Sequence, residues 1–252
     1  MNIIQSLTNP KIKKLIKLRD DKKLIETENM FFIEGINLVN EALKNNLVSE
    51  IFTLIENLHH INHIDEKVFV INEQIANKLS LTKNNQGIFA TCKIETKPFN
   101  PNKNVLLLDN IQDPGNMGTM LRSAISFDFT NVIASKNSVS FFNEKVIRST
   151  QGTIFKSHIK NVDLKDKIFE LKKENYIIIG TVLNEKSLAI KELKILPESK
   201  IALLVGNEGQ GISEVLKPLV DINVVITMSN EVESLNVAIA ASILMHKIKD
   251  SK

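Results

Sequence analysis

The stretch Leu203-Leu204-Val205-Gly206-Asn207-Glu208-Gly209-Gln210-Gly211-Ile212-Ser213 is an apolar run that breaks into a glycine turn, and its reading decides the fold. Upstream, Val105-Leu106-Leu107-Leu108 runs into Asn110-Ile111-Gln112-Asp113-Pro114-Gly115-Asn116-Met117-Gly118-Thr119-Met120-Leu121-Arg122, again an apolar strand followed by a turn. Downstream, Ser234-Leu235-Asn236-Val237-Ala238-Ile239-Ala240-Ala241 opens a helix with polar residues. Five of the nine glycines, Gly115, Gly118, Gly206, Gly209 and Gly211, occupy the first two stretches. Ligands of parallel α/β sheets bind at the carboxyl ends of the strands, so two such loops predict a site there. Backbone amides and short polar side chains suit a nucleotide-like ligand better than a metal. The spacing of Gly206, Gly209 and Gly211 is the reverse of a dinucleotide fingerprint, and no Lys-Ser/Thr follows as a P-loop requires. Glu208 inside the loop repels pyrophosphate, so the expected cofactor carries positive charge or little charge.

Working outward, strands are expected at 105–108, 132–134, 176–181, 201–205 and 224–226. Helices are expected at 119–127, 144–149 and 235–248. Strands alternating with helices predict a mostly parallel sheet covered on both faces. The stretch Lys97-Pro98-Phe99-Asn100-Pro101-Asn102-Lys103 reads as a linker. Before it, strands at 31–35, 48–54, 68–71 and 86–92 and helices at 36–44 and 73–79 make a smaller α/β unit. The expected division is 1–96, a linker at 97–103, and 104–252.

Composition narrows the class. With 43% hydrophobic and 24% charged residues over 252, the chain lies in the range of folded globular proteins. No apolar run is long enough to span a bilayer, the start lacks a secretory pattern, and Cys92 is the single cysteine. A reducing compartment, the cytoplasm, is expected, with no membrane association and no internal disulfide. His59, His60 and His63 cluster without a ligand set to complete a zinc site, so no metal is expected. Lys11, Lys13, Lys14, Lys17, Arg19, Lys22 and Lys23 face only Asp20 and Asp21 nearby, which fits either a solvated helix face or a phosphate-contacting one. The chain has three arginines, Arg19, Arg122 and Arg148, among 32 basic residues. Each is expected where a planar, permanently charged fork is needed. With no Trp and one Tyr, base stacking would fall to phenylalanines, and Phe31, Phe32, Phe141 and Phe142 read as core.

The three stretches together resemble the three signature motifs of the SpoU (TrmH) family of RNA ribose 2′-O-methyltransferases, within the SPOUT class. The resemblance covers 104–248. Leu7-Thr8-Asn9-Pro10-Lys11-Ile12-Lys13, Phe32-Ile33-Glu34-Gly35 and Leu38-Val39-Asn40-Glu41-Ala42 are similar to the substrate-binding domain that many members carry, which has a small ribosomal-protein (L30e-like) fold. The resemblance implies a SPOUT-type parallel sheet with a deep trefoil knot, S-adenosylmethionine as cofactor, and a homodimer whose two protomers complete each active site. On matching positions it implies cofactor contacts at Thr181, Gly206, Ile226 and Leu235. It implies a catalytic set of Arg122, Asn116, Glu208, Ser234 and Asn236. RNA contacts are expected at Lys11, Lys13, Lys14, Arg19 and Arg148.

The implied reaction is 2′-O-methylation of a ribose in structured RNA, with ribosomal (23S) RNA favoured over tRNA. A non-catalytic RNA-binding or ribosome-assembly factor, or a base methylase, are the alternatives. Because a guanidinium carries five donors and no acceptor, Arg122 is expected to be a phosphate clamp rather than a base. Asn116, Ser234 and Asn236 also sit where helices begin, so capping is a second reading for all three. The chain departs from the family pattern at Thr227 (for proline), Asp128 (for glycine) and Lys156-Ser157-His158 (for Arg-Leu-Pro).

Overall fold

The computed structural model describes residues 2–61, 67–181, 187–229, 231–232 and 234–251. His63 therefore lies outside the described residues. By internal contacts the chain divides into one unit of 1–95 with Phe142–Phe155 and a second of 96–141 with 156–252.

The first unit contains β1 (Asn2–Ile4), α1 (Pro10–Asp20), α2 (Lys22–Glu28), β2 (Met30–Glu34), α3 (Ile36–Lys44), β3 (Val48–Thr53), β4 (Lys67–Ile71), α4 (Glu73–Leu79) and β5 (Ile88–Lys93). Local chemistry sets the helix starts. Asn9 accepts from the Lys11 amide at 2.9 Å ahead of Pro10, and Asn72 accepts from the Ile75 amide at 3.0 Å. The sheet order is β1-β4-β3-β5-β2. It is mixed: β4 runs parallel to β1 and β3, while β5 is antiparallel to β2 and β3. Alternation of strands and helices does not encode direction, which the turn at 80–87 reverses here. Ile12, Leu15 and Leu18 on one stripe of α1 are buried, as are Phe31, Phe32, Phe52 and Phe89.

The second unit contains β6 (Val105–Leu108), α5 (Pro114–Ser126) and β7 (Asn131–Ser135). The chain then passes through α6 (Glu144–Ser149) and returns with β8 (His158–Val162), α7 (Leu164–Lys173), β9 (Tyr176–Gly180), β10 (Leu188–Ala189), β11 (Lys200–Val205), β12 (Ile222–Val225) and α8 (Val237–Asp250). Helix α6 packs with the first unit, where Phe31 meets Phe142 and Phe155 with ring centroids 5.1 and 6.3 Å apart. The seven-stranded order is β10-β12-β9-β11-β6-β7-β8, and every pairing is parallel. One face buries Val105, Leu107, Ile178, Ala202 and Leu204 with Ile168 and Leu171 of α7. The run Val105–Leu108 is buried throughout, as strands covered on both faces require.

The stretch 97–103 is fastened to this unit. Asn100 and the buried Asn131 exchange two hydrogen bonds of 2.9 and 2.8 Å, and the Tyr176 hydroxyl donates to the Pro101 carbonyl at 3.0 Å. Burial pushes the Tyr176 phenol up to about 12.

Helix α5 begins five residues before the expected 119. Asp113 accepts from the Asn116 amide at 2.8 Å and Pro114 fills the first turn, so Gly115 and Gly118 belong to the helix and only Gly206, Gly209 and Gly211 to a loop. Between that loop and β12 the helical structure is a one-turn 3-10 segment at Lys217–Leu219. After α5, Asp128 adopts φ +71°, the left-handed conformation usual for glycine past a helix end. Its carboxylate accepts from Lys103 and Lys249, each at 2.8 Å. Those bonds hold its pKa below the ordinary carboxylate value.

A carboxyl depressed in this way adds stability above the unfolded-state pKa near 4, and that stability is lost as pH falls through the folded value. Asp128→Asn keeps the left-handed turn and removes the pairing. Because the groups are partly exposed, the variant should lose less than about 1 kcal/mol at neutral pH. Its melting temperature should fall less steeply than the parent's between pH 5 and pH 3, measured by thermal denaturation at matched ionic strength.

Candidate active site

The three motif segments meet at the carboxyl ends of β6, β11 and β12. The Asp109 amide donates to the Val205 carbonyl at 2.8 Å, and the buried Asp109 carboxylate accepts from the Ser213 amide at 2.8 Å. The loop after β11 is closed by Asn207 and Gly211, whose backbones exchange two bonds of 2.9 Å. The Asn207 side chain accepts from the Gly209 and Gln210 amides at 2.9 and 3.2 Å and donates to the Asn110 carbonyl at 2.9 Å. Asn207 and Asp109 organise the loop, yet sequence reasoning passed over both. An Asn between two glycines is the signal that could have found Asn207, since such side chains bond the backbone two residues on. Gly206 has no room for a side chain: a Cβ there would lie 2.1 Å from the Gly211 carbonyl carbon.

Three of the five expected catalytic residues form one hydrogen-bonded chain. Asn116 donates from Nδ2 to Glu208 at 2.7 Å and accepts from Asn236 Nδ2 at 2.9 Å. Asn116 is not the cap of its helix, a role that falls to Asp113. Asn236 does cap α8, accepting from the Ala238 amide at 2.9 Å. Ser234 lies exposed two residues before this cap. Arg122 is exposed about 9 Å along α5 from Asn116, and its guanidinium has no hydrogen-bond or ion-pair partner among the described residues. Ser242 of α8 donates to Ser123 at 2.8 Å and ties the two helices beside it.

Thr181, Gly206, Ile226 and Leu235 all line one cavity, together with Glu208, Ser234 and the apolar Val224, Met228 and Val237. It encloses about 190 Å³. That is below the ~300 Å³ where small-molecule sites begin, so a cofactor seated there also fills the open mouth. Clefts of about 470 and 480 Å³ lie at 109–110 with 135–137 and along β8, but the three motifs converge on the smaller one. Among the described residues its lining holds a carboxylate and neither lysine nor arginine, which disfavours a polyphosphate and fits a cofactor with a cationic centre.

The remaining expected RNA contacts are mostly engaged within the first unit. Arg19 makes a two-pronged bond to Asp20, both arms 2.7 Å, and donates to the carbonyls of Lys78 and Leu79 at the end of α4. Lys11 pairs with Glu50, Lys14 with Glu28 at 2.6 Å, and Arg148 with Glu144 at 2.6 Å. Lys13 is exposed and has no ion pair among the described residues. Desolvation by burial raises the Glu144 carboxyl, against the pull of Arg148. Among the described residues no group of three or more His, Cys, Asp or Glu side chains is gathered to hold a metal, and no helix is long and apolar enough to cross a membrane.

Residues 103–246 match the SpoU rRNA Methylase family, and residues 9–90 match an MRM3-like substrate binding domain. The chain belongs to the SpoU rRNA methylase family. It is 34% identical over 99% of its length to the whole of the Bacillus subtilis 23S rRNA (guanosine(2553)-2'-O)-methyltransferase RlmP. A putative RNA methyltransferase of the TrmH family from Porphyromonas gingivalis has a similar structure, with TM-score 0.87 and 27% identity over 98% of this chain and 100% of that one. The AdoMet-bound rRNA methyltransferase from Sinorhizobium meliloti shares the fold, with TM-score 0.88 and 23% identity over 99% of this chain and 97% of that one.

Gly206→Ala should break the cavity wall, since the added methyl overlaps backbone rather than a movable side chain. The expected outcome is loss of S-adenosylmethionine binding by at least about 100-fold in calorimetry, the scale of a wall displaced by an ångström. Retained affinity would show that the loop reshapes without consequence.

Proposed function

We propose that the chain transfers a methyl group from S-adenosylmethionine to a ribose 2′-oxygen of ribosomal RNA, acting as a cytoplasmic homodimer. The observation that carries this reading is the convergence of Gly206, Ile226, Leu235 and the Glu208–Asn116–Asn236 chain on one cavity. Identity to an rRNA 2′-O-methyltransferase along the whole chain supports the substrate class. The trefoil knot and the L30e-like first domain belong to the same reading. The place of β12 between β10 and β9, and the return of α8 onto α5, support the knot.

When bound, the cofactor supplies an electrophilic methyl on a sulfonium. The residues of the chain have the remaining tasks. Gly206 lets the loop backbone approach the cavity, and Val224, Ile226 and Leu235 give it an apolar wall that excludes water. Glu208, held by Asn116, lines the cavity and would attract a cofactor that carries a positive charge. In-line displacement needs the oxygen aligned about 3 Å from the methyl, and Arg122 supplies that alignment by gripping the adjacent phosphate with its two-pronged guanidinium. The guanidinium stays protonated, so the hydroxyl proton leaves to solvent.

Arg122 does not line the cavity of its own chain, which supports its service to the cavity of a second protomer. Ile239 and Ile243, one turn apart on α8, are 52% and 38% exposed and offer the apolar surface such a dimer needs. Lys13 and Lys17, both exposed on α1, remain for RNA phosphates.

Nucleoside mass spectrometry of rRNA incubated with protein and cofactor should reveal one 2′-O-methylated nucleotide. Arg122→Ala and Arg122→Lys should both lower the single-turnover rate by about 100-fold while leaving cofactor affinity intact. A near-normal rate for Arg122→Lys would refute the two-pronged clamp, and transfer to tRNA alone would refute the ribosomal assignment.

A further inference from the structure

The first unit contains a cavity of about 300 Å³ beneath the first turns of α1, and nothing in the methyl-transfer chemistry uses it. Sheet register creates it. Paired residues in a sheet share a face, and on the face under α1 one row across the strands reads Glu34, Phe89, Phe52, Phe69. That row is filled by aromatic packing, with Phe52 and Phe69 centroids 5.1 Å apart. The row two residues along reads Phe32, Thr91, Glu50, Lys67. Here the aromatics give way to polar side chains, the β3 register shifts between Val48 and Glu50, and the space beneath Lys11 and Leu15 stays open.

Thr91 is the decisive residue. It is 3% exposed, it lines the cavity, and its hydroxyl oxygen is buried with no hydrogen-bond partner among the described residues. A buried hydroxyl left unbonded destabilises a fold, and each instance needs an explanation. Around it stand the Glu50 carboxylate and the Lys11 ammonium, which pair with each other and keep a second acceptor oxygen and further N–H donors, with Leu15 and Met30 as apolar walls. At the cavity wall Lys67 is exposed and has no ion pair among the described residues.

We propose that this cavity receives one unstacked nucleotide of the RNA substrate, its base between Leu15 and Met30 and its phosphate on Lys67. The inference rests on the RNA-methylating reading above. A base edge presents donors and acceptors together, which suits the combination of hydroxyl, carboxylate and ammonium. Apolar side chains replace the aromatic platform common at such sites, in a chain with no Trp. The same chemistry would accept a free nucleoside monophosphate, and the test separates the two sources.

The full chain, labelled at its methionine methyls, is titrated with inorganic phosphate, with the four nucleoside 5′-monophosphates, and with single-stranded 10-mers tiled over rRNA. The Met30 methyl resonance should move and saturate with particular 10-mers and should not move with phosphate. Thr91→Val keeps the shape and removes the hydroxyl, so it should melt at a higher temperature yet bind those 10-mers about fivefold more weakly. Lys67→Ala, an exposed change with little effect on folding, should weaken them by a similar factor. For methyl transfer to rRNA, Thr91→Val should raise KM and leave the saturated single-turnover rate and cofactor affinity unchanged. Movement with mononucleotides alone would assign the cavity to a free nucleotide and overturn the RNA assignment. No movement with any probe, or a Thr91→Val KM equal to the parent's, would overturn the pocket. A parent protein that binds cofactor and methylates no RNA would instead remove the underlying functional reading.

Discussion

A single carboxamide, that of Asn116, fastens the loop after β11, the start of α5 and the start of α8 to one another. Its nitrogen donates a hydrogen bond to Glu208 and its oxygen accepts one from Asn236. The two partners fix which end is nitrogen, because Glu208 can only accept when ionised. An aspartate in this place would set two carboxylates against each other, and an alanine would leave three segments without a common point. Beneath the amide, the side chains of Asn207 and Asp109 bind backbone groups of the loop and of the β6 terminus, so the loop that walls the cavity is held by side chain–backbone bonds. A site built this way is specified by glycine and asparagine more than by charged residues.

That construction governs how much could be read from the sequence. The buried strands β6, β7, β9 and β11 were plain, because sheets covered on both faces need unbroken apolar runs. Helix α3 and the body of α8 were equally plain from their periodicity. The start of α5 was hidden, because glycines in a first turn mimic a loop and only the cap at Asp113 distinguishes them. Strand β8 and helix α7 were not foreseen: β8 is an edge strand with lysine and asparagine along it, and α7 carries its apolar residues at only three buried positions. The grouping of Phe142–Phe155 with the first unit depends on the Phe31 ring contacts, a long-range fact that no local pattern carries. Of the residues implied by the family resemblance, Thr181, Gly206, Glu208, Ile226, Ser234 and Leu235 line one cavity, Asn116 and Asn236 join it through Glu208, and Arg122 lies exposed outside it. The basic run at 11–23 was ambiguous in sequence. Its ion pairs are what the structure adds, and Arg19 in particular uses its planar fork to close the end of α4.

Two of the departures from the family pattern, Asp128 and His158, have a local physical context. Asp128 keeps the left-handed turn that glycine usually makes and uses its carboxylate to join Lys103 and Lys249 across the helix ends. His158 stands where proline is usual, and its amide donates to the Thr130 carbonyl at 2.8 Å, a bond that proline cannot make. Its ring nitrogen bonds the Lys97 carbonyl at 2.7 Å, adding to the fastening of the 97–103 stretch. Thr227 is exposed, and nothing in the structure explains the loss of proline there.

Asn29, Asn46, Asn110 and Asn175 also take positive φ, each at the end of a helix or strand where a glycine would be the commoner choice. Asparagine tolerates that geometry while confining the unfolded backbone more than glycine does. The denatured ensemble of this chain therefore has fewer conformations to gain at its sharpest corners, and the turns resist melting through what the loose chain is denied as well as through what the folded one touches.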